Sequence, residues 1–189
     1  MPAFSAVLDT SVIFPAILND TLLCCAEYML YSPLWSDRIL HELRESRRRT
    51  YPHRDHSRVD SRILSMRHAF PSATVTAWAR VAAEIAPELP DPDDAHVIAA
   101  ALVGGAELIV TNNLKDFPRE TLALWGLTAL SADDFLVGLW TTDPLLVSQA
   151  LRTQLARLRN PPLSPEEFCD KLARTVPEFS VLVRGAFIA

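Results

Sequence analysis

Four acidic residues occupy positions from which their carboxylates could act together: Asp9, Glu42, Asp94 and Asp116. Asp9 ends a short apolar segment, and Asp116 follows a second one. Asp94 opens an apolar helix, and Glu42 lies within another predicted helix. In a parallel sheet, functional sites form beyond the carboxyl ends of the strands. We therefore expect the four acids to converge at one edge of such a sheet.

Convergence of carboxylates determines which chemistry is available. Unpaired carboxylates repel one another and raise one another's pKa values, and a hard divalent cation removes that problem. Mg²⁺ or Mn²⁺ prefers oxygen ligands, keeps several water molecules and suits phosphate substrates. Such a cation can orient and activate water, and a pair of cations can also stabilise a leaving oxygen. The predicted chemistry is phosphodiester hydrolysis.

Each acid also has an ordinary structural explanation. Asp9, followed by two hydroxyl residues, is typical of a helix cap, and Asp116 is typical of a turn. Glu42 could pair with Arg38 or Arg49 on a helix surface. Taken singly, the four acids are weak indications. Their order on alternating strands and helices is what favours a shared site.

The segment "DPDDAHVIAAAL", residues 91–102, allows both interpretations at once. Asp91 is expected to be the helix N-cap, since a proline follows it at the first helical position. Asp94 falls on the same helical face as Ile98 and Leu102, at the edge of an apolar surface. A carboxylate there costs free energy unless a hydrogen bond or a cation compensates it. Asp91 can therefore cap the helix while Asp94 faces a metal.

Apolar strands and helices alternate along the first part of the chain. Strands are predicted at residues 5–11, 31–36 and 106–113 and at the start of 127–140. Helices are predicted at residues 12–31, with Pro15 either in the first turns or between two pieces, and at 37–49, 55–69 and 75–86, after Asp94 and after Ser131. This alternation is typical of an α/β fold in which helices cover both faces of a parallel sheet.

The character of the chain changes after Trp140, and the predicted domains are residues 1–140 and a helical C-terminal extension at 141–189. Leu151, Leu155 and Leu158 fall on one helical stripe. These leucines and the later "FSVLVRGAFI" are too apolar to remain in water unpaired. They either pack on the body of the chain, which we favour, or form a surface for a partner.

Composition limits the class of protein. Of 189 residues, 49% are hydrophobic and 22% are charged, which is typical of a soluble globular chain. No apolar run reaches the length of a membrane span, and no secretory leader is evident. The three cysteines (Cys24, Cys25 and Cys169) have no metal-binding spacing. Their odd number favours reduced thiols and a cytoplasmic setting.

A cluster of arginines interrupts an otherwise acidic chain of net charge −5. Residues 44–58, "RESRRRTYPHRDHSR", contain six arginines and two histidines. Such a cluster could bind a phosphate backbone or could be a solvated helix face and loop. The candidates for contact with RNA are Arg44, Arg47, Arg48 and Arg49.

Four motifs, in order, carry a family resemblance: "VLDTSVIF", "ILHELRES", "LPDPDDAHVIAAAL" and "LIVTNNLKDFP". They extend across residues 5–136, about two thirds of the chain. The sequence resembles PIN-domain proteins and, among these, the VapC-like ribonuclease toxins. The resemblance implies a three-layer α/β/α fold with a parallel sheet and an acidic, metal-dependent nuclease centre. It also implies a small antitoxin that covers the site.

The resemblance assigns roles to individual residues. Asp9, Glu42, Asp94 and Asp116 fall on the family's acidic catalytic positions, with Asp9, Asp94 and Asp116 as the expected ligands of Mg²⁺ or Mn²⁺. Thr10 or Ser11 and Thr111 fall where the family supports its first aspartate. Many PIN domains have an acid two residues after the "VT", where this chain has Asn113, and the loop to Asp116 is one residue longer. This departure weakens the expectation of a second metal.

Two rival functions remain open at this stage. The leading hypothesis is a metal-dependent endoribonuclease, the toxin of a toxin–antitoxin pair, and a homodimer is left open. The rival is a PIN module that binds RNA or a protein partner without cleaving, and the presence of all four acids favours the enzyme. A phosphohydrolase acting on small molecules is disfavoured, because the "DxD" pair expected after its first strand is missing.

Overall fold

A computed structural model of the chain describes residue 2 and residues 4–188. The strands are β1 (Ser5–Leu8), β2 (Ser32–Ser36), β3 (Thr74–Val75), β4 (Leu108–Val110) and β5 (Thr128–Leu130). The helices are α1 (Thr10–Ile13), α2 (Ala16–Glu27), α3 (Asp37–Thr50), α4 (Ser57–Ala69), α5 (Trp78–Ile85), α6 (Ala95–Gly104), α7 (Arg119–Ala123), α8 (Ala132–Thr142), α9 (Pro144–Arg157), α10 (Pro165–Leu172) and α11 (Pro177–Ile188). Three short 3₁₀ helices lie at Ala86–Glu88, Pro92–Asp94 and Leu114–Asp116.

The five strands form one parallel sheet in the order β3-β2-β1-β4-β5, and the helices flank it. The predicted α/β architecture with a parallel sheet is confirmed. The chain first builds outward from β1 through β2 to β3, and then returns to place β4 on the other side of β1. The strand order therefore reverses between β1 and β4. This switch point is where an open α/β sheet forms a crevice at its carboxyl edge.

Helix α6 brings the segment of Asp94 to this edge. Seven consecutive residues from Ala95 to Ala101 are buried, because the helix is apolar on every side and lies within the core. Gly105 ends the helix in the left-handed conformation (φ 65°), as expected for a glycine cap. The chain then enters β4, so the start of α6 and the end of β4 are fixed relative to one another through the core.

Some element boundaries differ from the sequence prediction. The helix predicted at residues 75–86 begins only at Trp78, because Thr74 and Val75 form the edge strand β3 next to β2. The helix expected at 12–31 is divided near Pro15, which lacks the N–H that a continuous helix needs. Among the described residues, no helix combines the length and the apolar character needed to cross a membrane.

The C-terminal helices pack on the rest of the chain. Leu151 of α9 is fully buried, and Gln154 of the same helix reaches α2. Its side chain accepts a hydrogen bond from Thr21 Oγ1 at 2.9 Å and donates one to the Ile17 carbonyl at 3.1 Å. Asp133 of α8 accepts bonds from two backbone N–H groups at the start of α11 (2.8 and 3.0 Å). Polar links of this kind tie the extension to the body.

The apolar residues of the last helix are covered only in part. Phe179 and Val183 are fully buried, whereas Val181 is 70% exposed. On α9, Leu151 is buried and Leu155 is half-buried. The packing of these helices on the same chain, which we favoured from the sequence, thus explains the apolar residues on the buried face of α9 and of α11.

We predict that Leu151→Ala destabilises the protein, because it leaves a cavity between α9 and the body. Truncation of a buried leucine costs about 2–5 kcal/mol. Leu145→Ala on the same helix is the matched control, since Leu145 is 76% exposed. Urea unfolding followed by circular dichroism measures both variants. Equal midpoints for the two variants would show that α9 does not pack on the body in solution.

Candidate metal centre

Asp9 occupies the switch point directly after β1, and its backbone N–H donates to the Val110 carbonyl of β4 (3.0 Å). Its carboxylate is nearly buried, with 7% of the residue exposed. Oδ1 accepts a bond from Thr10 N at 2.6 Å. Oδ2 accepts bonds from Ser11 N (3.3 Å), Ser11 Oγ (2.7 Å) and Thr111 Oγ1 (2.8 Å). Asp9 is therefore held rigidly, and only Oδ1 has a lone pair left for another partner.

Three other aspartates come together at the same edge of the sheet. One carboxylate oxygen of each of Asp91, Asp94 and Asp116 lies within 4.8 Å of the other two. Asp91 also caps the turn that follows it, because its Oδ1 accepts a bond from Asp93 N at 2.9 Å. The Asn113 side-chain amide donates to Asp116 Oδ2. Two of the three acids are thus positioned by hydrogen bonds from their own loops.

Asp94 lies in the most unfavourable electrostatic environment of the three. Burial and then the charges of Asp9, Asp91 and Asp116 raise the pKa of Asp94 to about 6. No hydrogen bond to its side chain is present among the described residues. A carboxylate that lacks donors and faces three like charges is destabilised when ionised. This environment is one that a cation would relieve.

Glu42 lies beside this group and is engaged by other partners. Its Oε1 accepts a bond from Arg38 Nε (3.0 Å), and its Oε2 lies 3.2 Å from Thr10 Oγ1 and 3.3 Å from His96 Nε2. The His96 contact is an ion pair when the ring is protonated, and His96 Nε2 forms no hydrogen bond among the described residues. Burial opposes the pKa shifts of both groups, yet their contact lowers the pKa of Glu42 and raises the pKa of His96.

The structure places the predicted residues in two connected groups. Asp94 and Asp116 lie together with Asp91, while Asp9 and Glu42 lie on either side of Thr10. The charge of Asp9 still acts on Asp94, so the two groups share one electrostatic environment.

Three contributors lie outside the catalytic, metal-binding and supporting residues predicted from the sequence. Asp91 was assigned only as a cap, although its i,i+3 spacing from Asp94 could have indicated a shared face. Asn112 donates its N–H to Ser11 Oγ (3.0 Å) and accepts from Ala132 N (3.2 Å), so it ties the loop after β4 to two other elements. The His96 contact with Glu42 joins α6 to α3, and no local pattern in the sequence indicates it.

The supporting residues named from the sequence hold the first aspartate. Thr10, Ser11 and Thr111 all donate to Asp9, and Asn113 positions Asp116. Asn113 also donates its backbone N–H to Thr111 Oγ1 at 3.1 Å. The loop after β4 therefore connects Asp116 to Asp9 through two side chains.

A comparison with protein families matches residues 5–115 to the PIN domain. The chain belongs to this family. A second match assigns residues 132–185 to the VapC50 C-terminal domain, so the resemblance to VapC-like proteins is confirmed. A curated protein of Mycobacterium tuberculosis, "Putative ribonuclease VapC50", is 35% identical over 94 residues.

The alignment with the mycobacterial protein covers 50% of this chain and 56% of that protein. The chain therefore matches little more than half the length of its relative. No solved structure matches the chain. The second family match begins at residue 132, at the start of α8, whereas the sequence places a domain boundary after residue 140. That boundary stays a prediction.

The donor set of this PIN domain fits a hard divalent cation. All the grouped atoms are carboxylate oxygens, and one position, Asp94, has a pKa already raised by burial and neighbouring charge. Oxygen-only sites with room for water suit Mg²⁺, Ca²⁺ or Mn²⁺ rather than softer metals. The residues present are therefore able to hold a metal ion.

We predict that Asp94→Asn stabilises the PIN domain at pH 7.5 in EDTA. The raised pKa means that the folded state binds a proton more tightly than the unfolded chain, so wild-type stability falls as pH rises from about 4 to about 6. The amide removes this cost. We expect Tm to rise by roughly 2–4 °C, the shift that about 1 kcal/mol causes in a chain of this size.

The pH dependence is the control for this prediction. The gain should disappear near pH 4, where wild-type Asp94 is protonated in the folded state. Addition of Mn²⁺ at pH 7.5 should raise the Tm of the wild type more than that of the variant. A variant less stable than the wild type at pH 7.5 in EDTA would show that the carboxylate is not under electrostatic stress.

Proposed function

We propose that this PIN domain is a metal-dependent endoribonuclease that hydrolyses RNA phosphodiester bonds. The observation that carries the proposal is the group of Asp91, Asp94 and Asp116 at the sheet switch point, with Asp9 held beside it. The 35% identity to a protein with a ribonuclease name supports RNA as the substrate. Carboxylates alone would repel an anionic phosphodiester, so such a substrate requires a cation bound by these acids.

Mg²⁺ or Mn²⁺ would supply the positive charge that attracts the substrate phosphate and lowers the pKa of a bound water. Asp94 is the best candidate for a direct ligand, since neither of its oxygens is hydrogen-bonded within the described residues. Asp116 and Asp91 each keep one oxygen free of their loop hydrogen bonds. Asp9 has one free lone pair on Oδ1 and would contribute a single contact, to the ion or to a water on it.

Glu42 is proposed as a positioning residue rather than a metal ligand. Its two oxygens already contact Arg38, Thr10 and His96. The lowered pKa keeps Glu42 ionised at neutral pH, so it accepts a bond from the Thr10 hydroxyl and pairs with His96 when that ring is protonated. The Thr10 hydroxyl contacts Glu42, and the Thr10 backbone N–H donates to Asp9 Oδ1. Glu42 therefore orients Asp9 through Thr10.

The proposed biological role is that of a toxin controlled by a small antitoxin. The match of residues 132–185 to the VapC50 C-terminal domain supports this assignment. A nuclease without an inhibitor would damage its own host, so the acidic centre is the surface that an antitoxin would cover. The three cysteines are free and buried, which supports a reducing, cytoplasmic setting.

We expect Asp94→Asn to lower RNA cleavage by at least about 100-fold, a loss typical of damage to a metal site. The amide keeps the shape of the side chain but removes the charge. Asp93→Asn is the matched control, because it makes the same change one residue away at an exposed position. Cleavage of a fluorescent single-stranded RNA in Mg²⁺ or Mn²⁺ measures both variants.

Full activity of Asp94→Asn would refute the assignment of the metal centre. Equal losses in Asp94→Asn and Asp93→Asn would indicate a general electrostatic effect instead. A wild-type protein that binds RNA but does not cleave it in either metal would favour the non-catalytic alternative. Thermal melts of each variant establish that the fold is intact.

The toxin role has its own test. Induced expression of the wild-type chain in a bacterial host should arrest growth, whereas Asp94→Asn should not. Co-expression of the short open reading frame next to its gene should restore growth, if that frame encodes the antitoxin. Growth arrest by Asp94→Asn equal to that of the wild type would separate toxicity from cleavage and contradict the proposal.

A further inference from the structure

Beyond the acidic centre, two guanidinium groups and two aromatic rings alternate around the C-terminal end of α3. The Arg47 guanidinium lies 5.3 Å from the ring centre of Phe14 and 4.9 Å from that of Tyr51. The Arg54 guanidinium lies 5.0 Å from the same Tyr51 ring. These cation–π contacts hold long, flexible side chains in defined places. The arginines are thus preorganised rather than free in solvent.

This stack forms one wall of an open cavity of about 360 Å³. The cavity is lined by Arg47, Tyr51, Arg54, Asp55, His56, Arg58 and Val59. Its three guanidinium groups face a single carboxylate, that of Asp55. Both oxygens of Asp55 already accept bonds from Ser57, at 2.9 Å from N and 2.6 Å from Oγ. The cavity therefore has an excess of positive charge.

The positive charge is available because these arginines are unpaired. Among the described residues, no carboxylate lies within 4.0 Å of the guanidinium nitrogens of Arg47, Arg54 or Arg58. Two arginines predicted from sequence to contact RNA differ in this respect. Arg44 is paired with Asp60 at 2.6 Å, and Arg48 is paired with Glu45 at 2.9 Å. The free cationic surface thus lies at the end of α3 and in the loop after it.

Two elements connect this cavity to the metal centre. Helix α1 has Asp9 at its N-cap and Phe14 at its C-cap. Helix α3 carries Glu42 in its first half and has Tyr51 as its C-cap. Tyr51 lies nine positions after Glu42, which corresponds to about 13 Å along the helix axis. A strand of RNA with its scissile phosphate at the acids would need more than one nucleotide to reach the cavity.

We propose that this cavity, which we call the arginine pocket, binds the phosphate backbone of a single-stranded RNA a few nucleotides away from the scissile bond. The inference rests on the proposed ribonuclease function. A flexible single strand can bend a nucleotide into a concave site of this size, whereas the stiffer backbone of a duplex cannot follow the cavity wall. Guanidinium groups match phosphate oxygens in pairs, and planar stacks beside them suit unstacked bases.

The pocket is tested by RNA binding in EDTA, where cleavage does not occur. We expect the double variant Arg54→Ala/Arg58→Ala to bind a fluorescein-labelled single-stranded RNA roughly tenfold more weakly than the wild type at low salt. The slope of log Kd against log salt should fall by about 1.4, since each single-strand phosphate contact contributes about 0.7. Both residues are exposed, so the fold should tolerate the change.

The matched control is Arg159→Ala/Arg174→Ala, which removes the same charge from two exposed arginines of the C-terminal region that form no ion pair among the described residues. It should leave both the affinity and the slope within about twofold of the wild type. Tyr51→Phe should retain RNA affinity, because the ring still orients both guanidinium groups, whereas Tyr51→Ala should weaken binding. A duplex RNA of the same length should bind the wild type and the double variant equally.

Two outcomes would overturn the proposal. Equal affinity and equal slope for the wild type and the double variant would show that RNA does not use the pocket. A double variant that binds RNA normally but loses binding to polyglutamate would show a site for an acidic protein segment instead. RNA binding is measured without metal, so it does not depend on cleavage. Failure of the ribonuclease proposal would instead appear as a wild-type protein that binds RNA in EDTA but does not cleave it when metal is added.

Discussion

The pairing of β1 with β4 is the constraint on which the rest of this structure depends. Their register sets Leu8 beside Val110, so the next residues, Asp9 and Thr111, meet where both strands end. The Thr111 hydroxyl then binds the Asp9 carboxylate at 2.8 Å. A shift of one residue in this register would exchange the side chains that β1 presents to the two buried faces of the sheet, and neither face would then pack correctly. Core packing therefore fixes the position of the acid.

Hydrogen bonds and an ion pair around Asp9 connect the acidic centre to the neighbouring loops and helices. Ser11 joins the turn after β1 to the loop after β4, and Asn112 joins that loop to α8. Glu42 and His96 join α3 to α6. Each contact connects elements that are distant in sequence, so the centre has little freedom to relax. This rigidity keeps like charges close together, at a cost in stability at Asp94.

The sequence predicted well those features that depend on neighbouring residues. Ser36, Ser131 and Ser164 all cap helices, and Ser164 forms a capping box with Glu167, an arrangement that the local spacing of the two residues indicates. Apolar patterning was sufficient to place β1, β2, β4 and β5, because buried strands need continuous apolar runs. The two-residue β3 escaped prediction, since its pairing with β2 rather than its own composition makes it a strand.

Features that depend on residues distant in the sequence were harder to predict. The four acids could be placed at one edge of the sheet from their order, yet the sequence could not show that Asp91 would join Asp94 and Asp116. It also could not show which arginines are neutralised, because the partner of Arg44 lies sixteen residues away on another helix. Nor could it reveal Thr21 and Gln154, which are 133 residues apart and meet in the core.

Helix α3 explains why the two charged regions of opposite sign can coexist. Its first half is tied to the acidic centre through Glu42, and its last turn carries the cationic groups. The negative end of the helix dipole also stabilises lysine or arginine in the last turn of a helix. The separation of about 13 Å along the axis exceeds the Debye length of about 8 Å at physiological salt. The arginines therefore do not neutralise the carboxylates, and the acids remain available to a cation while the guanidinium groups remain available to phosphate.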